Sequence, residues 1–159
     1  MKKYLVLFII LLVIIVVACI CIFSEKKGAI STNLEYMRFS YTTGSMMDAN
    51  VRYEINYKDG KYIATIKPNL VSEENKKEIE ISKDTLKKIV KILNKNDVSS
   101  WDGFNSADQR VLDGDSFSFN LKTLDGKTIS ALAYMKWPKN YNNVSSDLNV
   151  IFMDLYNSN

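Results

Sequence analysis

Tyr4 to Phe23 is an unbroken run of twenty apolar residues without charge, glycine or proline. As a helix rising 1.5 Å per residue it would be about 30 Å long, the thickness of a bilayer's hydrocarbon core. A helix with no polar face has no side to turn toward water, so the run is expected to attach the chain to a membrane rather than to serve as a buried core helix. With it set aside, the remainder is ordinary. Of the 136 residues from Ser24 onward, 53 are apolar, and 19 basic residues face 18 acidic ones. That is one domain's worth of core, with no strong field to hold a phosphate backbone, so nucleic acid is not an expected partner. Histidine is absent from the whole chain. Imidazole acid–base catalysis and histidine-containing metal sites are thereby removed, and neither a metal nor a cofactor is expected.

Two forms of attachment stay open. Val16-Val17-Ala18-Cys19 has the form of a bacterial lipobox, in which Cys19 is lipidated and becomes the new amino terminus. Ile20-Cys21-Ile22-Phe23 continues the apolar run past that cysteine, which favours an uncleaved transmembrane anchor. Either way residues 1–23 are anchor or lipoprotein signal, 24–33 a polar tether, and 34–159 the folded domain. The Lys2-Lys3 start has the form of a secretion signal, which favours an extracytoplasmic domain at the cell membrane. Both cysteines lie in the apolar run, so that domain is held by its core and not by disulfides.

Alternation dominates the first half of the domain. Glu35, Met37, Phe39 and Tyr41 share one face of a first strand, and Val51, Tyr53, Ile55 and Tyr57 share one face of a second. Asp59-Gly60 suits a type I′ turn, giving Lys61–Lys67 as antiparallel partner, with Lys77–Ile81 as a fourth strand. At Ser82 the period changes. Leu86, Ile89, Val90 and Leu93 recur at helical spacing, and the lysines of this helix read as a solvated face, with anionic lipid as the functional alternative. Ser99–Asp115 reads as irregular. A second hairpin then follows, Phe117, Phe119 and Leu121 returning through Asp125-Gly126 to Ile129, Ala131, Ala133 and Met135, before a last helix with Val144, Leu148, Ile151, Phe152 and Leu155 in stripe. The expected fold is α+β: an antiparallel sheet in the order β-β-β-β-α-β-β-α, with both amphipathic helices on one face of a two-layer domain.

Chemistry-bearing motifs are few. Asp102, Asp108, Asp113 and Asp115 lack the ligand ladder of a calcium loop and read better as turn formers. Ser24-x-x-Lys27 has no companion elements of a penicillin-recognising enzyme, and Asn143-Val144-Ser145 is a glycosylation sequon in form only. Aromatic residues are more suggestive. Trp101, Phe104, Trp137 and Tyr141 lie in segments flanking the second hairpin, beside Asp113 and Asp115, and together would make a platform for a protein, peptide or glycan. The competing reading is that these rings close the end of the core. Met46-Met47 presents the same choice between contact surface and plug.

Trp101-Asp102-Gly103-Phe104, then Leu112 to Phe119, then Tyr134-Met135-Lys136-Trp137-Pro138-Lys139-Asn140-Tyr141, resemble a carboxy-terminal pattern of uncharacterised membrane-anchored or lipoprotein-like proteins of low-GC Gram-positive bacteria. The resemblance implies an envelope location and supplies no catalytic residues. The expected function is that of a membrane-tethered, non-enzymatic binding module. Two alternatives are an envelope hydrolase using carboxylates such as Asp113 and Asp115, and an accessory structural subunit of a membrane complex.

Overall fold

A computed structural model describes residues 28–44, 50–68, 75–108, 110–111 and 113–158. The apolar run, Cys19 and Met46-Met47 lie outside the described residues. Among those described, no helix is long and apolar enough to cross a membrane.

The domain is α+β. Strands β1 (Leu34–Thr42), β2 (Val51–Lys58), β3 (Lys61–Lys67) and β4 (Lys77–Ile81) precede helix α1 (Lys83–Lys95). A short 3-10 turn (Val98–Trp101), β5 (Phe104–Ala107), β6 (Ser116–Thr123), β7 (Thr128–Tyr134) and helix α2 (Tyr141–Ser158) complete it. The seven strands form one sheet in the order β4-β3-β2-β1-β6-β7-β5. Every pairing is antiparallel except β5 with β7.

The expected all-antiparallel six-stranded sheet is thus corrected to a mixed one of seven. β5, Phe-Asn-Ser-Ala, lies within the stretch expected to be irregular. It is too short and too polar to show a period of two, and it joins the sheet by crossing over to the outer edge of β7. A second correction concerns Glu35, expected to share the face of Met37, Phe39 and Tyr41. The β1–β6 register shifts between Leu34 and Tyr36, so Leu34 is fully buried while Glu35 turns out to meet Lys122 at 2.8 Å. The two Asp-Gly turns also differ. Asp59 and Gly60 both have positive φ, 51° and 80°, as a type I′ turn requires. At the second turn only Gly126 does, at 89°. Its N–H bonds to Thr123 O at 3.0 Å, so that turn spans Thr123–Gly126 with the glycine closing it.

One face of the sheet carries the core. Met37 and Phe39, Tyr53 and Ile55, Ala64 and Ile66, Phe117 and Phe119, and Ile129 and Ala131 are buried there. They form one cluster with Leu86, Ile89, Val90 and Leu93 of α1 and Val144, Leu148 and Phe152 of α2. Ser82 caps α1, its Oγ accepting from Thr85 N at 3.1 Å. Each large side chain in these stripes removes enough apolar area to contribute about 1.5–3 kcal/mol.

Register fixes the two ends of the sheet. Lys58 faces Lys61 and Lys122 faces Thr128, so both hairpin turns lie at one end. Leu34 pairs with Thr123, so the segment leading into β1 arrives at that end too, with Ile30 buried in the core. Thr42 faces Ser116 and Ala107 faces Tyr134, which gathers the loops at 43–50, 108–115 and 135–140 at the other. β1, nine residues long, separates the two ends by about 30 Å.

Candidate functional site

The loop end is built on the last residues of β1 and β7. Tyr41, half-buried near the end of β1, donates its hydroxyl to Asp115 Oδ2 at 2.6 Å. Gly44 N–H reaches Asp115 Oδ1 at 3.3 Å. Asp115 therefore joins the 43–50 and 108–115 loops. Tyr134, the last residue of β7, accepts from Gly114 N–H at 2.8 Å and donates to Val111 O at 3.2 Å. Met135 follows in a left-handed conformation, φ 54°. Its N–H bonds to Asp115 O at 3.0 Å, and its thioether accepts from Asp115 N–H at 3.1 Å.

Gly44 and Gly114 make this closure sterically feasible, since a Cβ on Gly114 would run into the Met135 side chain. A Cβ on Gly44 would lie 2.7 Å from the Asp113 carbonyl carbon and 2.9 Å from Gly114 N, both backbone atoms. Gly44→Ala should therefore prise the two loops apart and destabilise the domain by about 1–3 kcal/mol. Equilibrium urea unfolding of the full chain in detergent measures this, and an unchanged midpoint would mean that the contact is not required.

The aromatic residues sort by depth. Trp101 is 1 % exposed, edge-on to Phe117 and Phe119 at 5.6 Å each, and its indole N–H donates to Lys139 O at 2.9 Å. It holds the 135–140 loop down and offers no surface to a ligand. Tyr141 is buried and stacks on Trp137 at 4.8 Å and 15°. Burial pushes its hydroxyl up to about 12; the Ser145 hydrogen bond opposes this and the Asp115 charge adds to it. Trp137 is half-buried, with Tyr41 at 6.0 Å on its other flank. Trp101, Trp137 and Tyr141 do converge, mainly as the closure of the core.

Phe104 is set apart from them. It opens β5, paired with Ala131 and three residues short of the loop end. Asp113 is exposed, whereas Asp115 spends both oxygens on Tyr41 and Gly44. Asp108 is likewise committed: the hydrogen bonds from Arg110 hold its carboxyl down to about 2. Among the described residues no three acidic or thiol side chains converge on a metal-sized site. Tyr41, Gly44, Tyr134 and Met135 belong to this end and were not expected as site residues; Tyr134 and Met135 entered only as part of the resemblance pattern. Tyr41 was legible only as an inward-facing strand residue.

Of the described clefts, two lie away from the loop end and one reaches it. One of about 320 Å³ is at the tether end, between the β2–β3 turn and the start of α1. Another of about 330 Å³ lies on the open sheet face among Arg38, Arg52, Glu54 and Lys67. A third, about 240 Å³, is a shallow hollow beside β5 that reaches the loop end at Thr42, Ala107, Ser116 and Tyr134. Trp137 and Tyr141 line none of these described clefts. No protein-family model matches the chain, and no curated protein does.

Proposed function

We propose that the protein is a membrane-tethered, extracytoplasmic, non-enzymatic binding module that engages a protein, peptide or glycan with its loop end. The observation that carries this reading is the opposition of the two ends. The tether arrives beside Thr123, while Trp137, Tyr41, Asp113 and Met135 gather where the sheet ends on the far side. An anchor in residues 4–23 would hold the loop end about 30 Å beyond the hairpin turns, facing away from the bilayer. The Trp137–Tyr141 stack supplies a rigid aromatic anchor, and Asp113 and Lys136 supply an exposed polar rim. The resemblance of the 101–141 pattern to anchored envelope proteins is consistent with that placement.

A carboxylate hydrolase has less support. Asp115 is engaged in holding the loops together, and Asp113 stands exposed on the rim, outside the described clefts.

Photo-crosslinking in intact cells tests the binding reading. A photoreactive residue at Lys136 should give a discrete adduct that Trp137→Ala weakens by about tenfold, the loss of an anchor residue. The same probe at Lys88 on α1 should not give that adduct. Identical adducts at both positions, or an adduct indifferent to Trp137→Ala, would sink the loop-end assignment.

A further inference from the structure

The cleft of about 320 Å³ at the tether end is lined by Thr32, Asn33, Tyr57, Lys83, Lys87 and Leu124, among others. Its rim is unusual for the surface of this domain. Leu124 is 52 % exposed and Tyr57 38 %, two of the five large apolar side chains left in solvent among the described residues. Both stand by hairpin turns at the end where the chain arrives. Leu124 N–H bonds directly to Asn33 O at 2.8 Å, and Tyr57 leans on Tyr62 with ring centroids 4.9 Å apart.

Charge at this end is complementary to an anionic surface. Helix α1 carries Lys83, Lys87, Lys88, Lys91 and Lys95 against the single carboxylate Asp84. The one pair among them, Lys87 with Asp84 at 3.0 Å, is fully in water, so it holds Lys87 only weakly. Lys127 is a fixture of the attachment itself, its ammonium reaching Gly28 O at 2.6 Å and Ala29 O at 3.2 Å. Asp59 and Asp125 occupy the turn tips, flanked by Lys58, Lys61 and Lys127.

Covalent geometry limits how far this end can stand from a membrane. Phe23 closes the apolar run, and the five residues to Gly28 span at most about 17 Å when fully extended. The headgroup layer itself is about 5–8 Å deep. We propose that the tether end docks on an anionic bilayer surface, with Leu124 and Tyr57 in the headgroup layer and Lys83 and Lys87 on lipid phosphates. The docking rests on the membrane-anchor reading above and deepens it: the domain is held upright, loop end outward, instead of swinging on its tether. A tyrosine and a leucine beside lysines is the composition that settles at the interface, the rings and chains among the glycerols and the ammonium groups at phosphate level. Each lysine within a Debye length of such a surface should add about fivefold to the docked population.

The test uses the full chain in vesicles of phosphatidylcholine alone and in vesicles with about a third phosphatidylglycerol. In a Cys19→Ala, Cys21→Ala background, an environment-sensitive fluorophore is attached at Leu124→Cys or, as the distal control, at Lys136→Cys. Both positions are exposed, so the label leaves the fold in place. The expected result is quenching by headgroup spin-labelled lipid that is strong at position 124 in the anionic vesicles and at least about threefold weaker at 136, falling when Lys83 and Lys87 are both changed to Gln. Equal quenching at the two positions, or indifference to phosphatidylglycerol and to the lysine changes, overturns the docking. A chain that does not float with the vesicles at all overturns the transmembrane-anchor reading instead, and the docking with it.

Discussion

Replacing Trp101 with alanine should destabilise the domain by about 3–5 kcal/mol, a large share of the 5–15 kcal/mol that holds a domain of this size. The ring is 1 % exposed and meets Phe117, Phe119 and Tyr141 at 5.6, 5.6 and 6.4 Å. Its removal leaves a void the neighbouring strands cannot collapse into, since both phenylalanines are fixed by the β1–β6 ladder. The Lys139 carbonyl also loses its indole donor, which frees the 135–140 loop. Trp137→Ala, at a half-buried ring on the rim, should cost about 1–2 kcal/mol and leave the fold intact. Urea unfolding of both variants followed by circular dichroism separates the two. Trp101→Phe divides the effect further, keeping most of the ring while removing the N–H. A Trp101→Ala midpoint close to that of the parent would mean that the indole is not the keystone of this end.

Those two tryptophans show where sequence reading stops. Each stands outside a periodic segment, Trp101 ahead of Asp102-Gly103 and Trp137 ahead of Pro138, and nothing local distinguishes the buried ring from the half-exposed one. Depth is set by Phe117 and Phe119, residues far along the chain. The Tyr41–Asp115 bond, 74 residues in separation, is out of reach for the same reason. What was legible had a period. Strands β1 to β4, β6 and β7 alternate, both helices carry apolar stripes, and the Asp59-Gly60 turn took the conformation its residues favour. β5 had no period to read, because four residues with a single large apolar side chain acquire their strand only by pairing with β7. The gathering of loops at one end and tether at the other follows from register, and so became visible only once the strand order was known.

The domain should lose stability steeply between pH 10 and 12, and two tyrosines account for most of the loss. Burial pushes the hydroxyls of Tyr53 and Tyr141 up to about 12 from an ordinary value of 10.0. Tyr53 lies under Phe152, ring on ring at 4.5 Å and 5°, and donates to Asn149 Oδ1 at 2.6 Å, an interaction only the neutral phenol can supply. In the unfolded chain both ionise near pH 10, while in the folded chain both keep their protons up to about 12. Over that window the unfolded state therefore binds fewer protons, and stability falls as pH rises. It is fully present below pH 10, and the loss is complete once the folded pKa is passed. Each shift corresponds to about 2–3 kcal/mol, and the two together approach the stability of a small domain. Tyr36 and Tyr62 are also raised by burial and act in the same direction. Tyrosinate absorbance against pH should show a cooperative step coincident with loss of far-ultraviolet dichroism. Tyr53→Phe should move that step to higher pH while losing about 1 kcal/mol at neutrality with the Asn149 bond. A gradual titration centred on pH 10 with the fold still intact would show that water reaches these hydroxyls, and that the Phe39–Tyr53–Phe152 stack does not seal the core.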